Sequence, residues 1–260
     1  QKLRISMDAI LFVDDNPGEL AAVTQQHGTL QTLYAEPNAG LTSIAIEYYP
    51  GLWRWKQEDD DGKRIADLKA SDERESLALK HTDPAEYLRS LQVTLKYCWD
   101  ARFQLGRLSD LCRKTNQFNL ALRRLTETQL SDRMNSPSAC VASVQLSDRL
   151  SDSGIIAVIV AERSGNQLKV EELCISCRAI GRHLENDIIL HALRHMSIWR
   201  GTESVQFSVR QGERNQPAID WLGHLSRETL LDSHRESFVI STKVLEEIPV
   251  MEGIVQKNGK

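Results

Sequence analysis

The stretch "GIIAVIVAERSGNQLKVEELCISCRAIGRHLENDIILHALRHM", residues 154–196, decides the fold class. Its first half holds two apolar runs rich in Val and Ile, separated by the turn residues of "ERSGN". Its second half places Leu184, Ile188 and Ala192 at helical spacing. Together with the preceding "CVASVQLSDR", the pattern predicts a meander of three strands followed by a helix.

The flanking segments extend this pattern into an α+β domain over residues 84–250. Further along the chain, "SVQFSVR" predicts a strand, "NQPAIDWLGHL" a helix and "SFVIST" a last strand. Before the meander, Asp83 with Glu86 and Thr126 with Gln129 have the spacing of capping boxes that begin helices. "FQLGRLSDLCRK" places Cys112 on the apolar face of a helix, which favours a core position.

The N-terminal part of the chain is organised differently. "AILFVDDNPGELAAV" predicts a buried strand from Ile10 to Val13, a turn and a helix, and "LQTLYAEP" a second strand. This α/β element, residues 1–55, is too small to stand alone, and we expect the chain to be a piece of a longer protein. Residues 56–83 predict a charged, solvated connecting helix, and residues 251–260 an unstructured tail.

Composition limits the classes of function. A net charge of -4 gives no basic field for binding nucleic acid. No apolar run approaches the roughly 18–20 residues that span a bilayer. The five cysteines are an odd number and widely spaced, which predicts reduced thiols in the cytoplasm.

Cys174 and Cys177 are the first candidate site, and three interpretations stay open from the residues alone. A zinc site lacks a second ligand pair, and a dithiol is disfavoured because residues three apart on a strand point to opposite faces. Both cysteines could instead be buried structural residues. The third interpretation is a reactive thiol at Cys177, activated at a helix start by Arg178 and Arg182 and capturing an activated acyl group.

Three other groups are weaker candidates. Asp14 and Asp15 follow a buried strand, where they could hold Mg²⁺ or merely cap the next helix. The basic stretch from Arg102 to Arg124 has six basic residues against one acid and could meet an acidic partner. Within it, a polar cluster is better suited to lining a site than to a helix interior: Thr115, Asn116, Gln117 and Asn119. His183, beside the Cys177 turn, is a possible acid or base.

Several motifs together resemble those of FkbH-like proteins, and the match runs from about residue 8 to 225. They are "ILFVDDNP", "KTNQFNLALRR", the Asp148-Arg149 pair with Asp152 and Gly154, "SCRAIGRHLE" and "RNQPAIDWL". This family fuses a Rossmann-like phosphatase domain of the haloacid-dehalogenase type to a domain like the GNAT acyltransferases. The resemblance implies that residues 1–55 are the end of the phosphatase domain and residues 84–250 the acyltransferase-like domain.

The resemblance also implies a reaction. FkbH-like enzymes take 1,3-bisphosphoglycerate, hold a glyceryl group as a cysteine thioester and remove its phosphate. They then pass glyceryl to the phosphopantetheine of an acyl carrier protein, in polyketide or related secondary-metabolite biosynthesis. Cys177 would be the nucleophile, and Asp14 and Asp15 would be magnesium-site acids if the whole phosphatase domain is present. The other implied substrate-binding residues are Thr115, Asn116, Gln117, Asn119, Arg178, Gly181, Arg182 and Asn215.

The sequence also departs from the family pattern. The phosphatase nucleophile motif Asp-x-Asp is absent, so we expect no phosphatase activity from this chain. His183 stands where GNAT proteins have a glycine, which counts against ordinary acetyl-CoA binding. The expected function is therefore glyceryl or related acyl transfer to a carrier protein. The alternatives are a GNAT-type N-acyltransferase that uses acyl-CoA and a non-catalytic module that binds a carrier protein.

Overall fold

The chain forms two compact units, residues 1–61 (unit 1) and residues 62–260 (unit 2). The computed structural model describes residues 7–52, 59–226, 236–249 and 251–259. Residues 56–58 of the predicted linker therefore lie outside the described residues. None of the described helices is long and apolar enough to cross a membrane.

Unit 1 contains two strands and two helices. In chain order they are β1 (Leu11–Asp14), α1 (Pro17–Gln26), β2 (Gln31–Tyr34) and α2 (Ala39–Glu47). The two strands are parallel, with Leu11 opposite Gln31. The predicted turn forms because the Asn16 side chain accepts a hydrogen bond from the Gly18 N–H at 2.8 Å, and Pro17 begins the helix.

Unit 2 contains a mixed sheet of seven strands and the helices that cover it. The remaining elements are α3 (Asp59–Ala78), α4 (Pro84–Leu91), β3 (Thr94–Trp99), α5 (Leu105–Lys114), α6 (Glu127–Asn135), β4 (Ala139–Ser147), β5 (Asp152–Ser164), β6 (Gln167–Ile175), α7 (Glu185–Arg194), β7 (Ser204–Ser208), α8 (Gln216–Ser226), β8 (Ser237–Ser241), α9 (Thr242–Glu247) and β9 (Val255–Asn258). The strand order is β8-β7-β6-β5-β4-β3-β9. The predicted meander is confirmed, since β4, β5 and β6 are antiparallel neighbours.

Helices cover both faces of this sheet. One cluster of buried residues includes α7 and α8, whereas a second includes α5 and α6. Successive residues of β5 belong to opposite clusters, Ala157 and Ile159 to the first and Val158 to the second. Because both faces are covered, the strand is an uninterrupted apolar run rather than an alternating one.

The charged segment before residue 83 forms the helix that its composition predicts, and most of the residues described in it are exposed. One face differs from the prediction of a solvated helix, because Asp67, Ala70 and Arg74 are buried. The charges of Asp67 and Arg74 are neutralised by ion pairs within unit 2, so this face packs against the domain.

Both ends of unit 2 contain strands that the sequence analysis missed. β3 pairs with β4, and the predicted unstructured tail instead forms β9, parallel to β3. The tail is held at a second place, where the Met251 N–H donates to the Asp187 carboxylate at 2.9 Å. β9 has few apolar residues, so its strand conformation depends on the open edge of β3 rather than on its own sequence.

The helix boundaries confirm some predictions and correct others. Thr126 and Gln129 form the expected capping box. Asp83 caps α4 through the Ala85 N–H, but no capping box with Glu86 forms. The helix expected from residue 179 starts at Glu185 instead, because residues 177–183 form turns.

A glycine pair tests how β9 is held. Gly253 has φ +88°, and a Cβ there would lie 2.8 Å from the Ala85 carbonyl oxygen. Gly165 has φ +61° with nothing within 4 Å of such a Cβ. We expect Gly165→Ala to cost about 1–2 kcal/mol of unfolding free energy from backbone strain alone. Gly253→Ala should cost about 1–3 kcal/mol more because of the clash. Urea unfolding measures both, and equal costs would contradict the packing of the tail.

Candidate active site

Cys177 lies just after β6, where the chain leaves the sheet. The end of the strand is fixed by two backbone hydrogen bonds, from Ile175 N–H to the Phe118 carbonyl at 2.8 Å and from Ser176 N–H to the Ile156 carbonyl at 2.7 Å. Of the five cysteines in the chain, four are buried and Cys177 is exposed. It is therefore the thiol that an external reactant can reach.

Cys174, three residues earlier, is in the opposite environment. It is fully buried among the residues that pack on α5, next to Cys112. Burial and the neighbouring Cys112 thiol raise the pKa of Cys174 well above its ordinary value. The two sulfurs of the C-x-x-C motif thus face different surroundings, which excludes the dithiol interpretation in this conformation.

The segment between Cys177 and α7 is a chain of tight turns. The Ala179 N–H donates to the Ser176 carbonyl, and the Arg182 N–H donates to the Ala179 carbonyl. Gly181 and His183 have positive φ, at +79° and +57°. Because α7 starts eight residues after Cys177, the thiol is not at a helix start as predicted, and the helix dipole acts only over the first turn.

Arg182, predicted to hold a phosphate group, is engaged elsewhere. Its guanidinium contacts the Asp148 carboxylate at 3.0 Å and the Asp67 carboxylate at 2.9 Å. Arg74 completes the group, lying 2.8 Å from Asp148 and 3.1 Å from Asp67. Each of these four side chains contacts both groups of opposite sign, so they form a closed ring, here called the charge ring.

The charge ring is buried and electrically neutral. The side chain of Asp148 is 0% exposed and that of Arg182 is 11% exposed. Burial by itself raises the pKa of Asp67, but the Ser151 hydroxyl and the guanidinium groups of Arg182 and Arg74 outweigh it and hold the pKa below its ordinary value. Arg182 therefore anchors the turn that follows Cys177, and the substrate-binding role expected for it stays a prediction.

Arg178 and His183 are the other predicted charged or titratable groups of this turn. The Nε of Arg178 is 3.4 Å from the Ser176 hydroxyl. Its charge also helps to lower the pKa of Asp152, a carboxylate that Lys63 contacts at 2.7 Å. His183 is exposed. Roles in phosphate binding for Arg178 and in proton transfer for His183 stay predictions.

The polar cluster predicted to line the site divides into two halves. Asn116 and Gln117 are exposed, whereas Thr115 and Asn119 are buried. The Asn116 side chain accepts a hydrogen bond from the Arg124 guanidinium. The exposed half, Asn116 and Gln117, is directly accessible to a substrate, whereas Thr115 and Asn119 are not exposed. A substrate-binding role for any of the four stays a prediction.

Residues 118–120, here called the insert, occupy the gap that opens between β6 and β7. These strands pair only at 167–170 and 204–207. Beyond that point, the Leu120 N–H donates to the Leu173 carbonyl at 3.1 Å, and the Arg210 N–H donates to the Leu120 carbonyl at 2.8 Å. The backbone of the insert therefore supplies the hydrogen-bond partners that a neighbouring strand would otherwise provide. Buried backbone N–H and C=O groups need such partners.

Two asparagines hold the insert in place. The Asn215 side-chain amide donates to the Asn119 carbonyl at 2.8 Å and to the Arg210 carbonyl at 2.9 Å. The Asn119 side-chain oxygen accepts from the Leu122 N–H at 2.7 Å. Asn215 was predicted to bind substrate; here its amide is buried and bonded to the backbone, and a role in substrate binding stays a prediction.

Glu172 is a candidate that the sequence analysis missed. Its carboxylate is buried in β6 and accepts hydrogen bonds from the Arg123 and Arg124 N–H groups at 2.8 and 3.1 Å. Burial outweighs these hydrogen bonds and raises its pKa to about 7. The signal in the sequence was an acidic pair inside an otherwise apolar strand, since an acid is rarely buried there without a partner.

The predicted magnesium site is not complete in the described residues. A carboxylate oxygen of Asp14 accepts a hydrogen bond from the Asn16 N–H at 2.8 Å. Asp14 thus stabilises the turn before α1, which is closer to the capping role than to the magnesium site considered from the sequence. In the described parts of the chain, no three His, Cys, Asp or Glu side chains are grouped to hold a metal ion. Asp14 and Asp15 alone do not fit a resident Mg²⁺, which usually needs more ligands than two carboxylates provide without a bound substrate.

The comparisons with known proteins give fold-level similarities. No family model and no curated protein matches this chain. A mutant spermidine N-acetyltransferase from Vibrio cholerae is 13% identical over 60% of this chain and 97% of its own, with a TM-score of 0.39. The PaiA N-acetyltransferase from Thermoplasma acidophilum, solved with coenzyme A, is 12% identical over 54% and 92%, with a TM-score of 0.40.

A third similar structure is the ribosomal-protein-S18-alanine N-acetyltransferase from Escherichia coli. It is 11% identical over 54% of this chain and 86% of its own, with a TM-score of 0.37. All three TM-scores are below 0.5, so these similarities indicate nothing about the function of this chain.

Cysteine accessibility can be measured directly. We expect iodoacetamide to label Cys177 in the native protein at least about 100-fold faster than the four buried cysteines, whose thiolates would need an opening of the core. Peptide mass spectrometry at a series of times measures the rates, with urea-unfolded protein as the control for full labelling. Equal native rates at Cys174 and Cys177 would contradict the proposed difference in burial.

Glu172 should make stability depend on pH. Since its pKa is raised from 4.5 to about 7 in the folded protein, the folded state holds the proton more tightly than the unfolded state. The stabilisation is full below pH 4.5 and is lost as the pH rises through 7. We expect Glu172 to account for a loss on the order of 3 kcal/mol in wild type, and Glu172→Gln to lack this contribution, measured by urea unfolding across this range. The same slope in both proteins would overturn this assignment.

Proposed function

We propose that unit 2 is an acyltransferase in which Cys177 carries the acyl group. The observation that supports this most is a single exposed thiol in a turn fixed at both ends, by β6 pairing on one side and by the charge ring on the other. A thiol that is both accessible and held in place suits covalent catalysis, because its sulfur can be presented repeatedly in one geometry.

The reaction is a pair of acyl transfers. The Cys177 thiolate attacks the carbonyl carbon of a phosphorylated acyl donor such as 1,3-bisphosphoglycerate. A carbon–sulfur bond forms as the bond from carbon to the phosphate oxygen breaks, and inorganic phosphate leaves. The thiolate of a carrier protein's phosphopantetheine then attacks the thioester, which transfers the acyl group and restores Cys177. From 1,3-bisphosphoglycerate this group is 3-phosphoglyceryl, and its remaining phosphate is removed to give glyceryl by a separate phosphatase step.

The carrier protein would approach the basic stretch next to the insert. Arg113 and Lys114 at the end of α5 are each 59% exposed, although both pair with Asp110, and Phe103 is 81% exposed. Exposed cations at the end of a helix suit an acidic partner, and an exposed aromatic ring before the other end of that helix would add an apolar contact. Arg124 does not contribute in the same way, because its guanidinium donates to the Cys112 and Thr115 carbonyls.

The alternative is direct N-acylation of an amine by acyl-CoA, which is the activity named for the similar structures above. That reaction needs no cysteine nucleophile. A ligand that binds along β6 on the side facing β7 would also have to displace the insert. The backbone of the insert already forms hydrogen bonds with the Leu173 carbonyl and the Ile175 N–H. A carrier-binding module without catalysis is the third possibility, and the same experiment separates all three.

An adduct experiment tests the proposal. The full chain is incubated separately with 1,3-bisphosphoglycerate and with acetyl-CoA, and adducts are located by peptide mass spectrometry and by hydroxylamine lability. We expect a hydroxylamine-labile acyl group on Cys177 from the acyl phosphate, reduced at least about 100-fold in Cys177→Ser. Cys174→Ala is the matched control and should retain the adduct, since its sulfur is buried.

Three outcomes would overturn the proposal. One is the absence of any adduct with wild type, and a second is an adduct at another residue. The third is acetyl transfer from acetyl-CoA to an amine at the same rate in wild type and Cys177→Ser, which would establish the N-acyltransferase instead.

A further inference from the structure

The charge ring connects the Cys177 turn to a distant part of the sequence. Asp67 and Arg74 belong to α3, Asp148 follows β4, and Arg182 lies five residues after Cys177. The pair Asp67 and Arg182 is separated by 115 residues in sequence but by 2.9 Å in space. The position of the turn therefore depends on residues that are distant from it in the sequence.

The ring leaves little freedom to the Arg182 end of the turn. Besides the two carboxylates, the guanidinium contacts the Ser153 hydroxyl at 3.3 Å. Asp148 is itself fixed, because its second oxygen accepts from the Leu150 and Ser151 N–H groups at 2.8 and 3.0 Å. Asp67 accepts from the Ser153 hydroxyl at 2.9 Å. Planar guanidinium groups held by two carboxylates keep a defined orientation.

The turn between Cys177 and Arg182 is also held in its middle. Cys177 and Gly181 are exposed, whereas Ala179 is buried in the core and Ile180 packs against it. Backbone hydrogen bonds connect Arg182 to the residues beside Cys177, since the Arg182 N–H donates to the Ala179 carbonyl and the Ala179 N–H donates to the Ser176 carbonyl. A shift of Arg182 is therefore passed along the turn towards the thiol.

We infer that Asp67 and Arg74 of α3 are positioning residues for Cys177, which they hold in place through Arg182. The inference rests on the proposed function for its catalytic consequence. Neither α3 residue need touch a substrate, since both act by holding Arg182. They should affect the rate at which a bound donor reacts more than the binding of that donor.

The test uses a charge-balanced double variant, Asp67→Asn with Arg74→Gln. Removing one member of a buried charged group leaves an uncompensated charge and can unfold a protein, whereas removing one of each sign avoids this. Arg182 keeps its contact with Asp148, so the domain should fold while the turn loses one of its two carboxylate anchors. The matched control is Arg133→Gln with Glu171→Gln, which removes a pair at 2.8 Å that also includes a β6 residue but does not contact Arg182.

Two measurements are made on both double variants. Hydrogen exchange followed by mass spectrometry should show residues 177–183 exchanging at least about 10-fold faster in the α3 variant, with β6 unchanged. The rate of Cys177 acylation at saturating donor should fall about 10- to 100-fold, with the donor concentration for half-maximal rate unchanged within about twofold. The control variant should match wild type in both measurements.

The outcomes separate this inference from the proposed function. A folded α3 variant with wild-type exchange in residues 177–183 would overturn the inference, as would equal losses in the α3 and control variants. If wild type forms no acyl adduct, the proposed function fails, but the exchange measurement still decides whether α3 positions the turn. If the α3 double variant does not fold, Arg182→Lys, which keeps the charge but loses the fork, is measured in the same two ways and must show the same direction of change.

Discussion

The candidate site depends on the ion pairs of the charge ring. This ring is formed by four buried side chains, those of Asp67, Arg74, Asp148 and Arg182. Two guanidinium groups and two carboxylates neutralise one another, and hydroxyl groups of Ser151 and Ser153 satisfy further oxygens. Buried ion pairs of this kind add little net stability compared with apolar packing, because desolvation offsets their attraction. Their effect is on conformation: in the observed arrangement of α3, the β4–β5 connection and the Cys177 turn, each charge of the ring contacts both groups of opposite sign.

The insert imposes a second constraint, on the other side of β6. Where two parallel strands diverge, their backbone N–H and C=O groups no longer bond to each other and need other hydrogen-bond partners. Here residues 118–120 provide them, and Asn119 and Asn215 fix the inserted chain. The polar residues that looked like site lining are thus needed to let a loop act as a strand, and the gap beside β6 is closed by the chain itself. What remains open to a reactant at this edge includes Cys177 and the exposed Asn116 and Gln117.

These constraints explain why the two cysteines of one short motif differ. Cys174 is on β6, packed between the sheet and α5, where burial keeps its thiol protonated. Cys177 follows the last sheet hydrogen bond, at Ser176, and lies in water. Residues only three apart have different environments here because β6 ends between them, at Ile175. The geometry supports covalent catalysis at one sulfur rather than redox exchange between two.

The sequence by itself determined the elements whose signal is local. The runs of Val and Ile in β4–β6, the apolar spacing of α7, the Thr126 capping box and the Asn16-Pro17 helix start all form as predicted, because nearby residues decide them. β3 was within reach, since "TLKYCW" places Leu95 and Tyr97 at alternate, fully buried positions. Glu172, an acidic residue in the otherwise apolar β6, could also have been identified as unusual from the sequence.

Only the tertiary structure decided the roles that depend on distant partners. Two charged side chains of α3, Asp67 and Arg74, are buried because Asp148 and Arg182 supply matching charges from far along the chain. β9 formed because β3 offers an unpaired edge. Arg182, Asn119 and Asn215 have side chains that bind substrates and backbones equally well, so residue type cannot distinguish the two. Whether such a group is free for a ligand is a property of what surrounds it, and a sequence specifies those surroundings only through the complete fold.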